Sequence, residues 1–68
     1  MQHSQQALAD ALEQMVDAYT LHSMLEALSD VCMAKSEHLI SNWQDSVTGH
    51  VWSRAAGILD KAASRIDL

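Results

Sequence analysis

Cysteine and histidine are the side chains of this sequence best suited to chemistry. The single cysteine, Cys32, could act as a nucleophile only as a thiolate beside a base. It lies instead among the apolar residues of a predicted helix, between Leu28 and Leu39. We therefore predict that Cys32 is a buried structural thiol rather than a catalytic group.

The histidines show no spacing typical of a metal site. They are His3, His22, His38 and His50. No two of them stand three or four residues apart on one helix, and no HExxH motif is present. Glycine-rich phosphate loops, a GxSxG elbow and a Ser/His/Asp arrangement are also missing from the sequence. We expect no catalytic residue, no cofactor and no metal, and therefore a protein that is not an enzyme.

The cysteine count and the apolar runs bear on the cellular compartment. One cysteine cannot form an intramolecular disulfide, which favours a reducing, cytoplasmic setting. Residues 1–6 are polar, and no apolar run exceeds a few residues. We therefore expect neither a signal peptide nor a membrane span.

Net charge restricts the partners. Nine acidic residues against four basic ones give a net charge of −5, and no Lys or Arg precedes Lys35. Residues 1–45 carry seven of the acids and one base, whereas residues 46–68 carry two acids and three bases. Nucleic-acid binders need a concentrated basic surface, so direct binding to DNA, RNA or an anionic membrane is disfavoured. The acidic half can attract basic proteins instead.

Apolar spacing predicts three helices, over residues 5–19, 23–43 and 49–66, with Ser4 as the first N-cap. We expect one all-α domain over residues 1–68. It is either a compact three-helix bundle or a helical hairpin with a third helix. A chain of this size hides only about 60% of its surface on folding, so we expect homodimerisation to complete the core.

The predicted helix boundaries rest on local capping signals. Ser23 and Glu26 fit a capping box at the start of the second helix, and Thr20 is an alternative cap. The apolar pattern breaks between Asp45 and Gly49. We place a turn there, with Gly49 supplying backbone angles that other residues avoid.

Part of the sequence resembles a known group of proteins. Residues 25–32, 35–39 and 42–45 are similar to those of a group of short, uncharacterised bacterial helical proteins. The likeness covers residues 25 to 45. It implies a small bacterial or mobile-element protein, and it carries over no functional residue.

Lys35 is the least expected residue of the second helix, because it falls on the apolar arc within about 40° of Leu28 and Leu39. Its stem can pack there while its ammonium group reaches solvent. Alternatively, it makes an ion pair or hydrogen bonds across an interface and fixes the register of that interface.

Basic residues follow one flank of the third helix. They are His50, Arg54, Lys61 and Arg65. This flank is either solvated or meets the acidic surface of the first or second helix, within one chain or from a symmetry mate. Such contacts mainly set orientation, since exposed ion pairs contribute about 0–1 kcal/mol each.

Apolar residues outside the main stripes indicate a contact surface. Met33 and Ile40 project away from the core arc of the second helix, and Trp43, Val47 and Trp52 follow nearby in sequence. They form either an oligomer or partner interface or an enlarged core. The two tryptophans are also expected to anchor the hairpin of the second and third helices.

These observations favour a non-enzymatic protein–protein interaction module or regulator that self-associates and has a larger protein as a further possible partner. The alternative is an acidic phage or mobile-element inhibitor that covers the basic nucleic-acid-binding surface of a host protein. Binding through the carboxylates would weaken with ionic strength, whereas binding through the apolar residues would not.

Overall fold

Three α-helices make up the protein. A computed structural model describes residues 4–68, and its helices are α1 (Gln5–Ala18), α2 (Leu21–Asn42) and α3 (Ser46–Ser64). The all-α prediction is confirmed for this part of the chain. His3, one of the histidines considered above, lies outside the described residues.

Side-chain caps set the starts of α1 and α2. The Ser4 hydroxyl accepts a hydrogen bond from the Ala7 amide at 3.0 Å, as predicted. At α2 the cap is Thr20, whose hydroxyl accepts from the Ser23 amide at 3.0 Å. The predicted capping box of Ser23 and Glu26 is wrong, because Thr20 already has the extended backbone of an N-cap and the helix begins at Leu21.

The connection from α2 to α3 is shorter than the sequence predicts. Asp45 caps α3, with its carboxylate accepting from the Thr48 amide at 3.1 Å. The Asp45 amide in turn donates to the carbonyl of Leu39 at 3.0 Å. The left-handed residue of the turn is Gln44, with φ of 52°. Gly49 lies inside α3 with an ordinary helical backbone, so the prediction that it bends the turn is wrong.

The α2–α3 hairpin packs through small side chains. The buried residues among those described are Ser29, Cys32 and Ser36 of α2, and Gly49, Ala56 and Ala63 of α3. The α3 residues recur every seventh position, which keeps them on one side of the helix. The burial predicted for Cys32 is confirmed. We call this line of contact the seam.

Two contacts show how closely the backbones approach at the seam. The Ser29 hydroxyl on α2 donates to the backbone carbonyl of Ala56 on α3 at 2.9 Å. A Cβ atom added to Gly49 would lie 2.5 Å from Cγ1 of Ile40 and 3.2 Å from the carbonyl oxygen of Ser36. Glycine is therefore required at position 49 for space rather than for its backbone angles.

Helix α1 is attached to only one side of the hairpin. It contacts α2 but not α3, and none of its residues is buried. The molecule is correspondingly broad and flat, measuring 38 × 34 × 14 Å. Of the two predicted architectures, the structure is the helical hairpin with a third helix.

The two glycines give a matched test of the seam. An alanine at Gly57 meets no atom within 4 Å. Gly57→Ala should therefore raise the free energy of unfolding by about 0.5–1 kcal/mol through helix propensity alone. Gly49→Ala should lower it by about 1–2 kcal/mol, because overpacking outweighs the same gain.

Both glycine variants should be unfolded with urea at one protein concentration and followed by circular dichroism. Stabilisation of similar size in the two variants would show that α2 and α3 can separate at Gly49 without cost, and would contradict the close seam.

Candidate interaction surface

An open groove runs beside the seam on one side of the hairpin, with a volume of about 520 Å³. Its lining comes from the second half of α2 and the first two turns of α3: Val31, Ala34, Lys35, His38, Leu39, Thr48 and Trp52. Small residues occupy the seam, so the larger apolar side chains flank it. The groove therefore forms because α2 and α3 pack closely through small residues and leave their larger side chains beside the contact.

Lys35 lies over the half-buried ring of Trp52. Its ammonium nitrogen is 5.6 Å from the ring centroid, a cation–π distance. Within residues 4–68 Lys35 makes no ion pair. In the single chain the side chain thus packs along the groove and keeps its charge at the rim.

Trp43 is an exposed residue rather than a core anchor. Its side chain is 70% exposed. The indole N–H donates to Nε2 of His38 at 3.0 Å, and the two rings meet edge to face. The other ring nitrogen of His38, Nδ1, lies 2.8 Å from Nδ2 of Asn42. The prediction that both tryptophans anchor the hairpin is wrong for Trp43, and only Trp52 is partly buried.

Met33 and Ile40 lie apart from the groove. At about 100° per residue they project to one side of the seam, whereas Lys35 and Leu39 project to the other. Neither Met33 nor Ile40 lines the groove, although Ile40 contacts α3 at Gly49. The structure therefore does not bring them together with Trp52 in one patch.

The predicted basic flank of α3 is exposed. Arg54, Lys61 and Arg65 are all accessible, and none forms an ion pair in the part of the chain that the structure describes. Arg65 also ends α3 as its C-cap. This exposure fits a solvated flank in a single chain and leaves the three charges free to meet another molecule.

A second apolar crevice lies between α1 and α2. Two cavities of about 280 and 210 Å³ separate these helices, and Met15 and Met24 line both. Val31 lines the smaller cavity and also the groove, so the apolar surface is continuous from α1 to α3. We call this continuous surface the apolar face. The periodicity of α1 shows an apolar stripe, but it cannot show that α2 covers this stripe only in part.

Among the described residues, no three His, Cys, Asp or Glu side chains are grouped as around a metal ion. No helix in residues 4–68 has both the length and the apolar character needed to cross a membrane.

Comparison with protein families, curated proteins and solved structures gives no match for this chain.

The two tryptophans should respond differently to truncation. Trp43→Ala should lower the free energy of unfolding by no more than about 1 kcal/mol, since an exposed ring loses little burial. Trp52→Ala should cost about 3 kcal/mol, because it removes one wall of the groove and the platform of Lys35. Thermal melts followed by circular dichroism measure both. A larger loss for Trp43→Ala would place that ring in a buried contact.

Proposed function

We propose that this protein is a non-enzymatic interaction module that self-associates through its apolar face. The observation that carries the proposal is the exposure of that face. The core holds only small side chains, whereas large apolar residues on all three helices stay in contact with water. A helical domain normally buries such residues between two packed layers, and here a second layer is lacking above the hairpin.

The exposed area supports a second copy as the covering layer. The chain exposes 5523 Å². A compact protein of this mass exposes about 4,250 Å², so the excess is about 1,300 Å². A standard protein–protein interface takes about 800 Å² from each partner. A symmetric dimer, the commonest homo-oligomer, with an interface of this size would therefore cover more than half of the excess on each copy.

The acidic-inhibitor alternative rests on charge alone. The carboxylates of α1 and α2 are exposed, and Glu26 is the one paired with a basic group among the described residues, lying 3.3 Å from His22. Exposed carboxylates are an ordinary solvated surface, whereas a continuous exposed apolar face is uncommon on a monomer. The apolar face therefore favours the self-associating module.

Light scattering should give the mass of a dimer at micromolar concentration. Two substitutions in α2 then test where the interface lies. Val31 is 50% exposed and lines the groove. Met33 is 40% exposed and lies across the seam. Val31→Glu should give a monomer because it places a carboxylate in the apolar face, and Met33→Glu should remain a dimer.

The two substitutions lie on the same helix, replace residues of similar exposure and add the same charge. Dissociation by Met33→Glu together with an unaffected Val31→Glu dimer would move the interface to the far side of the seam. A wild-type monomer of high thermal stability would refute self-association itself.

A further inference from the structure

The groove combines a positive charge with an apolar lining. Lys35 is the one basic residue before position 46, in a chain with a net charge of −5. Among the residues that the structure describes, no carboxylate lines the groove. At about 100° per residue, the acids of α2 project about 140–180° away from Lys35. The groove is therefore a local positive site on otherwise acidic helices, and it favours anions over cations.

The Lys35 ammonium group is oriented at the groove but is not neutralised there. It lies 5.6 Å from the centroid of the Trp52 ring, which attracts a cation to its face. It makes no ion pair within residues 4–68. Two further polar side chains line the groove: His38, one turn after Lys35 on α2, and Thr48, one turn before Trp52 on α3. The polar groups of the groove thus lie at Lys35 and beyond it, toward the turn between α2 and α3.

In the opposite direction the surface stays apolar for about three turns of α2. Val31 lies one turn before Lys35 and lines both the groove and the smaller cavity between α1 and α2. That cavity is lined by apolar side chains and extends to Leu28 and Met24. At 1.5 Å per residue, Lys35 and Met24 are about 17 Å apart along the helix. We call the groove together with this cavity the cleft.

We propose that the cleft binds an amphipathic carboxylic acid, a molecule with an ionised carboxylate at one end of an apolar chain. The carboxylate would pair with the Lys35 ammonium group, and the chain would lie over Val31 toward Leu28. Small-molecule sites are typically concave and mostly apolar, with volumes of about 300–1,000 Å³ and a few polar groups. The groove, at about 520 Å³, has these properties. An extended chain fits better than a compact ring, because the apolar lining follows α2.

The ligand and a second copy of the protein would compete. Val31 belongs both to the cleft and to the apolar face through which we propose self-association. The ligand site itself needs only the geometry of one chain. If the protein is a dimer, the apparent Kd for the ligand should rise with protein concentration. If it is a monomer, this Kd should be constant, and the effect of Lys35 is expected in both cases.

Decanoate and decylammonium separate the charge of the ligand from its apolar chain. Both carry the same alkyl chain, with opposite charges. Decanoate should bind about tenfold more tightly, because decylammonium replaces attraction at Lys35 by repulsion. Titrations followed by NMR give both Kd values, and the indole signal of Trp52 should shift with decanoate. Equal affinity for the two amphiphiles would overturn the anion site and leave only a general apolar surface.

Two lysine substitutions locate the charge that binds the carboxylate. Lys35→Met and Lys61→Met each remove one positive charge and keep an unbranched side chain, and Lys61 is exposed on α3 outside the groove. Lys35→Met should raise the Kd for decanoate about fivefold. Lys61→Met should change it by less than about twofold, since solvent and salt screen a distant charge. Equal losses would show that net charge alone attracts the ligand, and would contradict the site. Circular dichroism checks that both variants keep their helices.

Two valine substitutions test the path of the chain. Val31→Thr keeps the shape of the side chain and adds a hydroxyl to the cleft. Val51→Thr makes the same change at similar exposure on the outer side of α3. Val31→Thr should raise the Kd for decanoate about threefold, because binding would desolvate the hydroxyl, and Val51→Thr should leave it unchanged. Equal effects would place the chain outside the cleft.

A wild-type protein that does not bind decanoate at millimolar concentration would refute the ligand site. This failure is distinguishable from a failure of self-association, because light scattering measures the mass of the protein without any ligand.

Discussion

The close approach of α2 and α3 determines the rest of this structure. Serine, cysteine, alanine and glycine line the seam, and the Ser29 hydroxyl reaches the backbone of the opposite helix. Helices packed through small residues approach more closely than helices packed through leucine, because the distance between axes depends on the side chains at the contact. The hairpin therefore gains stability from backbone proximity, and Gly49 is required for space at its tightest point.

The same packing explains why the apolar surface remains open. A seam of small residues cannot enclose large ones, so Leu28 and Val31 of α2 stay accessible beside it. Helix α1, held against one side of α2, does not cover them. Hydrophobic stabilisation scales with the apolar area removed from water. A single chain leaves much of its apolar area exposed, so it gains only part of the stabilisation that burying this area would give. We propose that association supplies it.

Charge is distributed unevenly over the three helices. The acids lie mainly on α1 and α2 and the bases on α3, and exposed pairs contribute little energy each. Like charges brought together at an interface raise its free energy, so this distribution would restrict the orientations in which two copies could associate. Lys35 differs from the other bases, since it lies over Trp52 at the groove. A single small chain thus combines a tight internal contact with an apolar face that stays exposed.

The sequence by itself determined the helices, the Ser4 cap of α1 and the burial of Cys32, because periodicity, capping and polarity act over a few residues. It also indicated that one copy has too small a core. Only the tertiary structure decided that Gly49 is a packing residue, that Trp43 is exposed and that Met33 lies apart from the groove. A helical projection gives angles around one axis, but it cannot show which neighbouring helix occupies each side or how closely it approaches. Those are properties of pairs of helices, and they decide which surfaces remain for a partner.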